Sequence, residues 1–207
     1  FFLDTLNKDL SSSVEVFNRP SALRLCRDEI KTKNIIAFYS DGKKWIFKKL
    51  DILEPFESKL IHKKDLPDEM YNESVFICLS DKTDIDKDLL IDEKYMNSSP
   101  AWRANTKIYS IFCSSSYQGE YPYTMVDKKV SLVSCSPMLQ KGKNIDSYFY
   151  LINLKKKPEK KFFNVNIMNS NKDILKILNF KTNHINIYNM NEILAEYDNL
   201  MYIFNSE

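Results

Sequence analysis

An all-β fold, mainly antiparallel, is what this sequence predicts, built as two related β-sandwich units from an internal duplication, with one or two short helices. Three observations carry that reading. First, β-branched and aromatic residues alternate with polar ones over short windows at 35–40, 44–52, 106–113, 130–134, 147–154, 162–168 and 173–180, the period of two that half-buried strands require. Second, only 20–30 and 191–197 could form helices, and both are short. Third, two stretches of the chain match each other in pattern.

The alternation is cleanest in "FNVNIM", where Phe163, Val165 and Ile167 fall on one side and Asn164 and Asn166 on the other. Two connections read as hairpin turns. Asp41-Gly42 in "YSDGKKWIF" fits a type I′ turn, whose central residues both need positive φ, and Ser170-Asn171 holds the equivalent place in "MNSNKDILKI". After each hairpin the chain continues in parallel. Phe56 lines up with Phe180, Ser58 with Thr182, Ile61 with Ile185, Leu66 with Met190 and Asp68 with Glu192, at a constant spacing of 124 residues. The repeated unit is a hairpin, a further strand, a crossover with a helical turn and a closing strand. A unit of about sixty residues buries too little apolar surface alone, whereas paired sheets cover one another. The expected organisation is a first unit over 1–80, an Asp- and Lys-rich linker or excursion over 81–100, and a larger second unit over 101–207.

Composition bounds the function. Hydrophobic residues are 43% and aromatics 13% of the 207 residues, with no run of eighteen apolar residues, so the expectation is a folded, water-soluble chain with no membrane span. The chain opens on "FFLD" without Met, and removal of a leader stays open. Thirty basic against 28 acidic residues, most of the basic ones Lys, gives no case for nucleic acid. The run "LKKKPEKKFF" at 154–163 reads as a solvated hairpin connection. Four cysteines form no CxxC pair. Cys78 and Cys113 lie in apolar strand-like runs and read as buried free thiols, which favours the cytoplasm, although a disulfide between strands stays open.

Catalytic and cofactor schemes fail on inventory. The chain has only His62 and His184 to serve as base or zinc ligand, and both read as ordinary sheet positions. Gly42, Gly119 and Gly142 are too scattered for a phosphate loop. Asp81, Asp84, Asp86 and Asp88 lack the Gly and terminal Glu of a calcium loop. No metal and no cofactor is expected.

One stretch stands apart, "SSPAWRANTKIYSIFCSSSYQGEYPYTMV" at 98–126. Gly119 followed by Tyr121-Pro122 makes a bent strand, which turns side chains out of a sheet. Trp102, Arg103, Asn105, Tyr117, Gln118, Glu120 and Tyr121 are therefore the candidate ligand-binding residues. Rings stack on sugar faces, Arg103 offers a planar fork for an anion, and the amides and carboxylate pair with hydroxyls. In the competing reading Trp102 fills a core and Arg103 and Glu120 form an ion pair. Trp45 and Tyr39 lack polar company and read as packing residues. The expected role is a non-catalytic binding or assembly module for a glycan or a partner protein. The alternatives are an enzyme acting on a saccharide with Glu120 as acid or base, and a structural protein assembling as a homo-oligomer through its sheet edges.

Overall fold

The computed structural model describes residues 2–4, 10–18, 31–80, 104–119, 133–136, 146–155, 157–169, 171–197 and 202–206, with 117–119, 133–136 and 202–206 known by their backbone alone. The strands are β1 (Phe2–Leu3), β2 (Ser11–Phe17), β3 (Lys33–Ser40), β4 (Trp45–Leu53), β5 (Ser58–His62), β6 (Val75–Ser80), β7 (Ala104–Tyr109), β8 (Ser114–Gly119), β9 (Val133–Ser136), β10 (Tyr148–Ile152), β11 (Phe162–Met168), β12 (Ile174–Lys181), β13 (Ile185–Asn189) and β14 (Tyr202–Ser206). Two 3-10 turns, Lys63–Asp65 and Asp68–Met70, follow β5, and one helical turn, α1 (Met190–Ile193), follows β13. The pairings are antiparallel throughout. The protein is a mainly antiparallel all-β chain, as its alternation predicts.

The chain divides into two compact units, Phe1–Val126 with Lys156–Glu159, and Asp127–Lys155 with Lys160–Glu207. In the first, the sheets β1-β6-β3-β4 and β5-β2-β7-β8 enclose one core. Leu3, Ile35, Ala37, Tyr39, Val75, Ile77 and Leu79 meet Val14, Val16, Ile61 and Ala104 there, an apolar interior of the kind that stacked sheets need. The expected boundaries put 101–119 with the second unit. β7 instead pairs along the whole length of Val16 to Ser11 on β2, so β7 and β8 complete the first sandwich.

β3 is buried at every residue and so is β6. The reason is that the other face of their sheet is also enclosed. Phe38 there packs on Trp45 edge-on at 5.7 Å, on Phe47 at 5.7 Å and on Phe76 at 5.5 Å between centroids. Trp45 and Tyr39, on opposite faces, are both packing residues, each 8% exposed.

In the second unit the sheet β12-β11-β14-β9 stands with the pair β10-β13 around Val165, Ile167, Leu178, Phe180, Met190 and Leu194, with Phe149, Leu151, Phe163 and Tyr188 against them. The strand plan of the first unit recurs. β3 and β4 form a hairpin, β5 crosses to pair with β2, and β6 returns to β3. Likewise β11 and β12 form a hairpin, β13 crosses to pair with β10, and β14 returns to β11. The residue register differs from the one the sequence match predicts. Phe56 and Asn183 both take positive φ, 66° and 55°, and each donates its N–H to the residue after the partner strand, Asn18 and Asn153. Phe56 therefore corresponds to Asn183, whereas Phe180 is a core ring. The match aligned hydrophobic residues, while the backbone is governed by the turn.

The hairpin turns also differ from expectation. The first is a four-residue loop in which only Gly42 among the turn residues has positive φ, 93°. Asp41 Oδ1 accepts the N–H groups of Lys43 and Lys44, both at 2.8 Å, and those two bonds hold the Asp41 carboxyl below its usual range. In the second, Asn169 Oδ1 accepts from Asn171 and Asp173, both at 2.9 Å, and Lys172 is left-handed at φ 69°. Both turns are built by an Asx side chain at their first position. The 153–161 connection joins β10 to β11, which lie in different sheets, so it is no hairpin. The helix expected at 20–30 and the linker at 81–100 lie outside the described residues.

Candidate functional site

The stretch singled out by sequence enters the fold through β7. In "ANTKIY", Ala104 and Thr106 are buried while Lys107 is exposed and Asn105 and Tyr109 are half-buried. Period two thus gives β7 a core face and an outer face. On the core side the register sets Val14 beside Ile61 and Thr106, and the Thr106 hydroxyl has no hydrogen-bond partner. On the outer side it sets Glu15 between Leu60 and Asn105, and Asn105 beside position 118 on β8. The next row runs His62, Ser13, Lys107 and Ser116. Lys107 Nζ stands 5.7 Å from the centre of the Tyr109 ring.

Of the seven candidate residues, Asn105 is described in full, on the outer face of β7. Tyr117 and Gln118 are backbone members of β8, opposite Thr106 and Asn105. Trp102, Arg103, Glu120 and Tyr121 lie outside the described residues, as do the aspartates at 81–88. Glu15, Leu60, Lys107 and Tyr109 complete the outer surface. Sequence reading missed Glu15 and Leu60 because they reach the site from β2 and β5, and no short-range spacing reports a cross-strand neighbour.

The strand expected over 106–113 ends at Tyr109. Residues 110–113 make the turn between β7 and β8, in which Ser110 N–H donates to Cys113 O at 2.8 Å. Ser110 Oγ accepts from Phe112 N and Cys113 N at 3.2 and 3.3 Å. Cys113 is consequently exposed and not the buried thiol its apolar neighbours predict, whereas Cys78 is buried. A serine folding back on its own backbone was the signal, hidden by the strand-forming Ile111 and Phe112.

The chain matches no protein-family model, no curated protein and no solved structure. Site chemistry therefore rests on the residues themselves. No three of His, Cys, Asp and Glu gather among the described residues as a metal would need. No helix among them is long and apolar enough to cross a membrane.

Among the described residues, the one strongly shifted group belongs to the second unit. His184 sits in the turn before β13, where burial first and then Lys160 and Lys181 push its pKa down to about 4. An unfolded histidine titrates near 6.5. Between these values the unfolded chain binds the proton and the folded chain does not, so stability is complete above about 6.5 and falls as pH drops toward 4. The residue is only partly buried and solvent still screens its ring, so the loss is held to about 1 kcal/mol. Urea midpoints of the wild type should fall over that window and those of His184→Gln should not. A parallel fall in both would assign the acid sensitivity to other groups.

Proposed function

We propose that the protein is a non-catalytic binding module that takes a glycan or a partner protein on the outer face of the β5-β2-β7-β8 sheet and on the aromatic and Arg-bearing segments flanking it. The observation that supports this reading is the row Glu15, Asn105 and position 118, which aligns a carboxylate with amide-bearing positions across three neighbouring strands. Groups of this kind accept from and donate to ring hydroxyls. Their spacing across strands is about 5 Å, and Tyr109 beside them offers a ring face. The polar row favours the glycan over the protein partner, since protein interfaces are depleted in charge at their centre.

Trp102, Arg103, Glu120 and Tyr121 flank this sheet in sequence, just before β7 and just after β8, and in this reading they supply the stacking ring and the anion fork. Glycan-array screening followed by titration calorimetry tests it. Trp102→Ala is expected to weaken binding by about 1–3 kcal/mol and Asn105→Ala by about 1 kcal/mol, with the melting temperature nearly unchanged in both. Failure to retain any glycan would sink the glycan reading in favour of the protein partner, and a collapse in stability of Trp102→Ala would make that ring a core residue.

A further inference from the structure

Ile111 and Phe112 form the tip of the β7–β8 hairpin, and they are 90% and 89% exposed. Burial of large apolar side chains is the main gain of folding, so two adjacent ones left in water at a hairpin tip gain nothing for this fold. The tip is also held in shape. Ser110 closes it with its own N–H and with a hydroxyl that accepts two backbone N–H groups. Whatever receives the two side chains meets a preformed surface and has little chain entropy to remove.

We infer that this tip inserts into the interfacial layer of a phospholipid bilayer, docking the protein peripherally. Size decides between a lipid surface and a protein. A stable protein interface takes roughly 800 Å² from each partner, whereas two such side chains offer at most about 250 Å² each. A bilayer takes an isolated apolar point. The flanking residues fit the same receiver. Tyr109, half-buried two residues behind the tip, is a residue type that settles at headgroup depth, and Lys107 stands against its ring. At about 3.3 Å per residue, Lys107 lies within reach of the headgroup phosphates when the tip is inserted. Residues 104–119 contain no Asp or Glu, so nothing in the hairpin opposes an anionic surface. The returning strand offers Ser114, Ser115 and Ser116, all exposed, which neither oppose insertion nor extend the apolar surface into one that suits a protein.

The proposal is independent of a ligand on the outer sheet face, and vesicle flotation of the full chain tests it. Wild type is expected to float with vesicles of phosphatidylcholine containing phosphatidylserine, and less with phosphatidylcholine alone. The double change Ile111→Ser with Phe112→Ser is expected to lower the partition coefficient at least tenfold, on the scale of losing two apolar insertions. Phe112→Trp is expected to keep binding. Lys107→Gln is expected to cost about fivefold on the anionic vesicles only. Both tip positions are solvent-exposed, so an unchanged melting temperature certifies each variant as folded. Wild type that floats with neither vesicle, or a double variant that floats as well as wild type, overturns the inference. So does a concentration-dependent mass that the double change abolishes while vesicle binding stays nil, which would make the tip a contact between copies of the chain.

Discussion

Phe180→Ala should destabilise the protein by about 4 kcal/mol, within the range for emptying a buried phenyl site. The ring is fully buried and stands at the meeting point of three others. It is stacked on Phe163 at 5.8 Å and meets Phe149 and Tyr188 edge-on at 6.0 and 5.0 Å. Those partners come from β11, β10 and β13, so the ring bridges both sheets of the second unit and its removal leaves a void that no single strand can close. For a chain of this length the melting temperature should fall by about 10 °C. Leu60→Ala, at 47% exposure, is the matched control and should move it by little. A loss under about 1 kcal/mol for Phe180→Ala would show that the ring is not where the core is made.

Asn186→Leu is the second large effect, about 3 kcal/mol, and its origin is polar. Asn186 is 7% exposed and lies just inside β13. Its Oδ1 accepts Lys181 N–H at 2.8 Å, while its Nδ2 donates to Lys181 O at 2.9 Å, Leu151 O at 3.0 Å and His184 O at 3.2 Å. One side chain thereby ties the end of β12, the turn at 182–184 and β10. Leucine has the same branched outline and none of these bonds, so part-buried backbone groups lose them, each costing about 1–3 kcal/mol before water enters. Hydrogen exchange at the Lys181 amide should accelerate by far more than exchange at Phe38, in the other unit. Equal acceleration at both sites would mean that the change acts on the whole fold and not on this turn.

How much of this was legible in the sequence depended on what each strand faces. β11 reads correctly because one side meets a core and the other does not, so Val165 and Ile167 are buried while Asn164 is exposed. β3 hides its alternation, since both faces of its sheet are covered and Ile36 and Phe38 are as buried as Ile35 and Ala37. Its strand character survives only as an unbroken apolar run. Turns were legible by place but not by type. Asp41 and Asn169 carry their loops through side-chain bonds, and that chemistry matters more than the Asp-Gly pair the eye finds first. The turn at 110–113 was missed because Ile111 and Phe112 have strand propensity, and propensity is outweighed where Ser110 offers the backbone another partner. Of the candidate site, Asn105 could be seen as an outward residue, but its neighbours Glu15 and Leu60 come from distant parts of the chain and only pairing reveals them.

β12 borders its sheet, with β11 as its one strand neighbour among the described residues. Two of its carbonyls nevertheless have partners, since the Tyr188 hydroxyl donates to Asn179 O at 2.7 Å and the Tyr197 hydroxyl to Leu175 O at 3.1 Å. A foreign strand seeking to lengthen the sheet would have to displace two phenols before gaining its first bonds. The sheet's reluctance to grow at this border is thus written in two oxygen atoms, and phenylalanine in their place would keep the rings yet leave the border receptive.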